Sequence, residues 1–259
     1  MAKRRLLVRE TRWYGWRPDL PDARDLMFAP RPQVIGALPP RVDLRPYMPS
    51  VYDQGNLGSC TANAIGAALQ FTQIKQREAD FVPSRLFIYY NERVMEDSVN
   101  SDAGAEIRDG MKAVNKLGAP PEKLWPYIIS KFKRKPPAAA FKAALAHQSI
   151  SYQRVPRDLN HMRACLAEGF PYVFGFSVYD GFESDACART GVLNVPGKDE
   201  QVLGGHAVLA VGYDDASRRF YVRNSWGDAW GQKGYFTMPY EYMANRGLCS
   251  DFWTVRQVE

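Results

Sequence analysis

Three residues of this chain have types and settings that could do covalent chemistry. Cys60 stands in QGNLGSCTANAIGAALQF, where a glycine-rich loop runs into a helix-spaced apolar series. His206 stands in LGGHAVLAVGY, where two glycines let backbone approach closely and an apolar strand follows. Asn224 comes eighteen residues later in RNSWGDAWGQKGYF, close to Trp226 and Trp230. A thiol at its free pKa of about 8.5 is a poor nucleophile at neutral pH. A helix N-terminus and a protonated imidazole beside it would both favour the thiolate. Each residue also has a plainer reading, because cysteine packs as a small hydrophobe and a histidine opening a buried strand can be structural. The other two histidines, His147 and His161, lie in polar helical contexts and read as surface residues.

The rest of the chain must supply elements that hold these groups. Its 259 residues suffice for one large domain or two small ones with a sizeable core. The 46 % apolar and 24 % charged contents are ordinary for a globular protein. No run reaches the roughly 18 apolar residues of a membrane helix, so no membrane span is expected. The opening MAKRRLLVRE lacks the apolar stretch of a secretory signal, so a cytoplasmic location, or export without such a signal, is expected. The net charge is +6, and residues 1–50 hold ten Lys or Arg against five acids. These charges are dispersed among acids and the aromatics Trp13, Tyr14, Trp16 and Phe28. That texture favours an arm docked on protein over a nucleic-acid tail, so no nucleic-acid partner is expected. Cys60, Cys165, Cys187 and Cys249 form no C-x-x-C pair, which excludes the usual zinc spacings and a dense disulfide framework. A Cys187–Cys249 bond stays open; no metal or cofactor is expected, and the protein is expected to be a monomer.

Proline-rich APRPQVIGALPPRVDLRPYMP separates the arm, residues 1–40, from the body. Helical periodicity predicts helices over 60–75, 84–95, 105–116 and 136–147, and Leu159, Met162, Cys165 and Leu166 also recur at helical spacing. After residue 150, strands are predicted over 172–178, 207–214, 219–226 and 234–239. Helices followed by strands imply an α+β fold, mainly helical over 41–150 and mainly β over 151–255.

Taken together, these segments resemble the papain-like cysteine proteases. QGNLGSC is similar to the nucleophile loop of that family, GGHAVLAVGY to its histidine segment and NSWGDAWGQKGYF to its asparagine segment, in the family order. His206 follows Cys60 by 146 residues, within the roughly 130–150 known for the family. Asn224 follows by 164, and an insertion in 180–204, which reads as loop, accounts for the excess. LGAPPEKLWPY also resembles a family segment, and the likeness covers residues 41–255.

The resemblance implies a two-lobed fold, a helical lobe facing an antiparallel β-barrel-like lobe across an active-site cleft. It implies Cys60 as nucleophile, His206 as proton shuttle and Asn224 as the acceptor that orients the imidazole. Gln54 matches the side-chain donor to the oxyanion, with the Cys60 N–H as the second donor. Trp226 matches the indole that shields the His–Asn bond, with Trp230 nearby. For substrate, Ile107 and Ala207 are expected to line the pocket for the second residue before the scissile bond, with Gly204 at its wall and Thr254 at its floor. Ala105 takes the place of a substrate-binding backbone glycine. An apolar lining implies bulky aliphatic or aromatic side chains there.

The departures from the family pattern are specific. Leu57 stands where secreted members carry a disulfide cysteine, and SDAGAEI, the segment resembling the facing wall, has no cysteine either. Thr61 replaces an aromatic after the nucleophile, and Gly205 replaces an acid before His206. RWYGWRPDLPDARD resembles the short N-terminal segments of bacterial members. It is expected to pack across the cleft or against the sheet half and limit access; the alternative is a strap with no inhibitory role. The expected activity is that of a cysteine endopeptidase acting on peptides or proteins through a thioester. An acyltransferase or ligase using the same thioester, a silent binding homologue and an exopeptidase are the rival readings.

Overall fold

The computed structural model describes residues 14–78 and 80–259, so Trp13 and the basic residues of the arm up to Arg12 lie outside the described residues. In chain order the elements are β1 (Trp16–Arg17), α1 (Pro32–Ile35), β2 (Arg41–Asp43), α2 (Cys60–Gln76), α3 (Arg85–Met95), β3 (Ala105–Glu106) and α4 (Ile107–Leu117). There follow α5 (Ala138–Ala144), β4 (Ser149–Arg154), α6 (Leu159–Ala167), β5 (Tyr172–Tyr179), α7 (Asp185–Thr190), β6 (Val202–Asp214), β7 (Arg219–Arg223), β8 (Tyr235–Pro239), α8 (Tyr240–Ala244) and β9 (Cys249–Val258).

Helix α2 is the axis of the molecule. Its residues from Cys60 to Gln73 are all buried, including several small ones (Ala62, Ala64, Gly66, Ala67, Ala68). The helix carries no charge before Lys75, so it can be buried on every side, and its small side chains let neighbours approach from both sides. On one side lie α3, started by Ser84, whose Oγ accepts the Phe87 N–H at 3.2 Å, and α4. On the other lies an antiparallel sheet in the order β4-β9-β5-β6-β7-β8, with β2 added on β6. β4 and β8 stand at opposite ends of that order, so the β lobe is an open sheet rather than a closed barrel.

Three differences from the sequence expectation, and one pairing that the sequence left open, matter for the site. Residues 105 and 106 leave the helix expected from 105 because they pair with Trp16 and Arg17, and α4 begins at Ile107. The strand expected to 226 stops at Arg223, where Asn224 takes its N–H to the Gly234 carbonyl. The segment 180–204 is not plain loop: it holds a 3-10 turn (Asp180–Glu183) and α7, and it buries Phe182. Cys187, in α7, and Cys249, in β9, are both free, so the pairing left open does not occur.

Candidate active site

Cys60 is the first residue of α2 and is fully buried. The loop before it is held by hydrogen bonds. The Asp102 carboxylate accepts the Gly58 N–H at 3.0 and 3.1 Å and the Tyr89 hydroxyl as well. This ties the loop before Cys60 to the 101–107 segment, the two places where the resemblance puts a disulfide in secreted members. Tyr127 donates to the Gln54 carbonyl at 2.9 Å and lies 2.5 Å from the Ser59 hydroxyl. Beneath them Arg85 stacks on Tyr52 and Tyr127, pairs with Glu122 at 2.8 Å and donates to Asn63 at 3.0 Å.

The opposite wall comes from the sheet. His206, on β6 across from Phe176 of β5, is fully buried. Its Nε2 lies 2.8 Å from Asn224 Oδ1, and that oxygen also accepts the Ser225 N–H at 2.8 Å. An acceptor fixed in this way requires Nε2 to carry the hydrogen, which assigns proton exchange to Nδ1. Trp226 stacks on the imidazole at 5.1 Å and 27°, and Trp230 meets Trp226 edge-on at 5.2 Å. Phe182 lies 5.0 Å from Trp226 and 6.2 Å from His206. Gln54 bridges the walls: its N–H donates to the Ser225 carbonyl at 2.9 Å, and its Oε1 accepts the Ser225 hydroxyl at 2.6 Å. Its Nε2 donates to the Leu57 carbonyl at 3.0 Å, in the loop before Cys60.

The thiol of Cys60 lies beside the backbone of Ala207, the residue after His206, and beside that of Gly15. Burial pushes the thiol up to about 12, and Glu92 adds to the rise, against hydrogen bonds from Ala207, Gly15 and Thr61 that lower it. This is the reverse of the activated thiolate expected from a helix N-terminus. The largest cause is burial, to which a cover over the cleft contributes.

That cover is residues 14–17. β1 pairs with β3 in parallel, Trp16 opposite Ala105, and the Ala105 N–H donates to the Gly15 carbonyl at 2.7 Å. A Cβ on Gly15 would stand 1.7 Å from the Gly58 carbonyl oxygen, so only glycine passes there. Tyr14 meets His206 edge-on at 6.0 Å, and its hydroxyl donates to Glu183. The Trp16 indole fills the space over Gly175, where a Cβ would come within 1.9 Å of the ring, and it also crosses Gly205.

Among the residues expected to bind substrate, Ala105, Ile107 and Ala207 are buried, and Gly204 lies against Tyr14. Thr254 is on β9, but its hydroxyl donates to the Pro171 carbonyl at 2.9 Å. Gly175, Asp102 and Phe182 escaped the sequence reading. A glycine within an apolar strand was the signal for the first, whereas Asp102 and Phe182 sit in segments read only as wall and loop.

Behind Trp16 the arm is fastened by charge. The Asp19 N–H donates to Asp251 at 2.8 Å, while the Asp19 carboxylate accepts the Arg108 N–H at 3.1 Å and the Trp253 indole N–H at 2.8 Å. Asp25 pairs with Arg108 and Arg154, each at 2.7 Å, and Arg154 reaches Asp251 at 3.1 Å. Three carboxylates thus face two guanidinium groups. Burial first, and the Asp251 charge second, push Asp19 up to about 7.

A family model described as papain family cysteine protease matches residues 38–252. An uncharacterized peptidase C1-like protein of Acanthamoeba polyphaga mimivirus is 42 % identical, over 96 % of this chain and 88 % of its own length. Among solved structures, Xylellain, a cysteine protease from Xylella fastidiosa, is similar with a TM-score of 0.91 and 46 % identity, over 96 % of this chain and 99 % of that one. Digestive procathepsin L 3 of Tenebrio molitor larval midgut shares the fold at a TM-score of 0.71 and 19 % identity, over 95 % of this chain and 76 % of that one.

Proposed function

The chain belongs to the papain family of cysteine proteases, and from that membership we propose that it is an endopeptidase working through a thioester on Cys60, gated by its own N-terminal arm. His206 Nδ1 takes the thiol proton, and the thiolate attacks the substrate carbonyl carbon. Gln54 Nε2 and the Cys60 N–H then receive the oxyanion. His206 returns the proton to the leaving amine, and it next deprotonates the water that releases the acid from the thioester. The observation that carries this reading is the Asn224–His206 bond under Trp226, with the Cys60 thiol held at the neighbouring Ala207. Gln54→Ala is the selective test. It leaves Cys60, His206 and Asn224 in place, and kcat is expected to fall on the order of 100- to 1000-fold. An unchanged kcat on a fluorogenic dipeptide would remove Gln54 from this role.

The pocket that holds Trp16 favours an aromatic or bulky apolar residue at the second position before the scissile bond. A productive substrate puts that residue over Gly175 and its leaving side toward Trp226. The arm runs the other way, from Tyr14 at His206 to Trp16 over Gly175, and therefore presents no scissile bond in register. This supports a gate rather than a substrate.

The carboxylate network gives the gate a pH dependence. Asp19 is raised from an ordinary carboxylate value to about 7 when docked. Its contribution is therefore complete below the free value of about 3.9 and lost as pH rises through the docked value. Between these limits docking strengthens up to about tenfold per pH unit of acidification. Masking of wild-type activity, measured against an arm-displaced protein, is expected to deepen from pH 7 to 5. Asp19→Asn should flatten that dependence; an equal slope in both proteins would assign it elsewhere.

A further inference from the structure

Arg17 of the arm forms an ion pair with Glu96, whose side chain is 5 % exposed against 44 % for Arg17. Glu96 follows the last residue of α3, and its Oε1 accepts the Glu106 N–H at 2.7 Å. The carboxylate is thus fixed beside β3, the strand along which the arm pairs, with Arg17 opposite Glu106. Burial raises its pKa, the hydrogen bond from the Glu106 N–H and the Arg17 charge lower it, and the Asp109 and Glu106 charges add to the rise. Among the described residues, its ion pair is with Arg17.

When the arm leaves, the cleft keeps this carboxylate, fixed by the Glu106 N–H and close to the Glu106 and Asp109 charges, without its countercharge. A fixed acid beside other acids attracts a cation to the place that Arg17 vacates. In the arm, the side chain next to Trp16 is that of Arg17, and it is the one that reaches this carboxylate. We propose that Glu96 makes the cleft select peptides with arginine or lysine at the third position before the scissile bond, the place that Arg17 holds in the closed protein. This rests on the peptidase reading above. Arginine is favoured over lysine, because its planar fork can share both guanidinium edges with the acids at this site.

The test uses the full chain with Gly15→Leu, which displaces the arm. Peptides with an aromatic second residue and Arg, Lys, norleucine or Glu at the third are compared. The kcat/KM for Arg is expected to exceed that for norleucine by about 10- to 100-fold, mostly through KM, with Lys between and Glu lowest. Adding Glu96→Gln, whose amide oxygen can still accept the Glu106 N–H, should bring the Arg to norleucine ratio close to one. Equal rates in the Glu96 protein, or a ratio that survives Glu96→Gln, overturns the inference. If no peptide is cleaved, the peptidase reading falls. The same series, read as protection of Cys60 from alkylation, then decides the selectivity independently: Arg above norleucine supports it, and equal protection overturns it.

Discussion

Cys60→Ala is expected to lower kcat/KM for peptide hydrolysis by on the order of 10^4- to 10^6-fold while leaving the fold intact. Without the sulfur no thioester forms, and His206 and Gln54 are left to assist a water that nothing positions on the reacting carbonyl. The substitution removes one atom from a buried site at the start of α2, so its structural cost is small beside its chemical effect. His206→Ala should fall as far, and the double variant no further, because residues that act as a unit are not additive. Steady-state hydrolysis of a fluorogenic dipeptide checks this, with circular dichroism confirming the fold. Retained activity in Cys60→Ala would refute the nucleophile.

Gly15→Leu is expected to produce the opposite change. The Cβ would stand 1.7 Å from the carbonyl oxygen of Gly58. Gly58 cannot readily withdraw, since Asp102 holds its N–H at 3.0 Å. Strain of this kind costs about 1–3 kcal/mol, enough to weaken docking roughly 10- to 100-fold. Residues 14–19 then leave the cleft, while Asp25 keeps the arm tethered through Arg108 and Arg154. Activity should rise by up to that factor, and the Cys60 thiol should titrate well below the value of about 12 that burial gives it in the closed protein. Unchanged hydrolysis in the Gly15→Leu protein would make the arm a strap and not a gate.

Much of the frame was legible in the residues. The apolar spacing after Cys60 marked α2, and the apolar runs around His206 and Asn224 marked β6 and β7. β9 was not, because buried Asp251 and Thr254 interrupt the pattern that would announce a strand. The start of α4 was displaced by an interaction no local pattern encodes, the pairing of Ala105 and Glu106 with an arm some ninety residues earlier. The missing disulfide could be read from Leu57, but the Asp102 carboxylate that ties the same two segments could not. Asp19 and Asp251 are ordinary aspartates in the sequence. Their meaning as a buried pair comes from tertiary placement, as does the full burial of Cys60, which a helix N-terminus alone would argue against.

The most direct measurement is the rate at which iodoacetamide alkylates Cys60 at pH 7 under reducing conditions, located by peptide mapping and followed alongside activity. The expected result is labelling at Cys60 with parallel loss of hydrolysis, about 10- to 100-fold faster in Gly15→Leu than in the wild type. Modification elsewhere without loss of hydrolysis, or equal slow labelling of Cys60 in both proteins, would contradict a gated cysteine nucleophile.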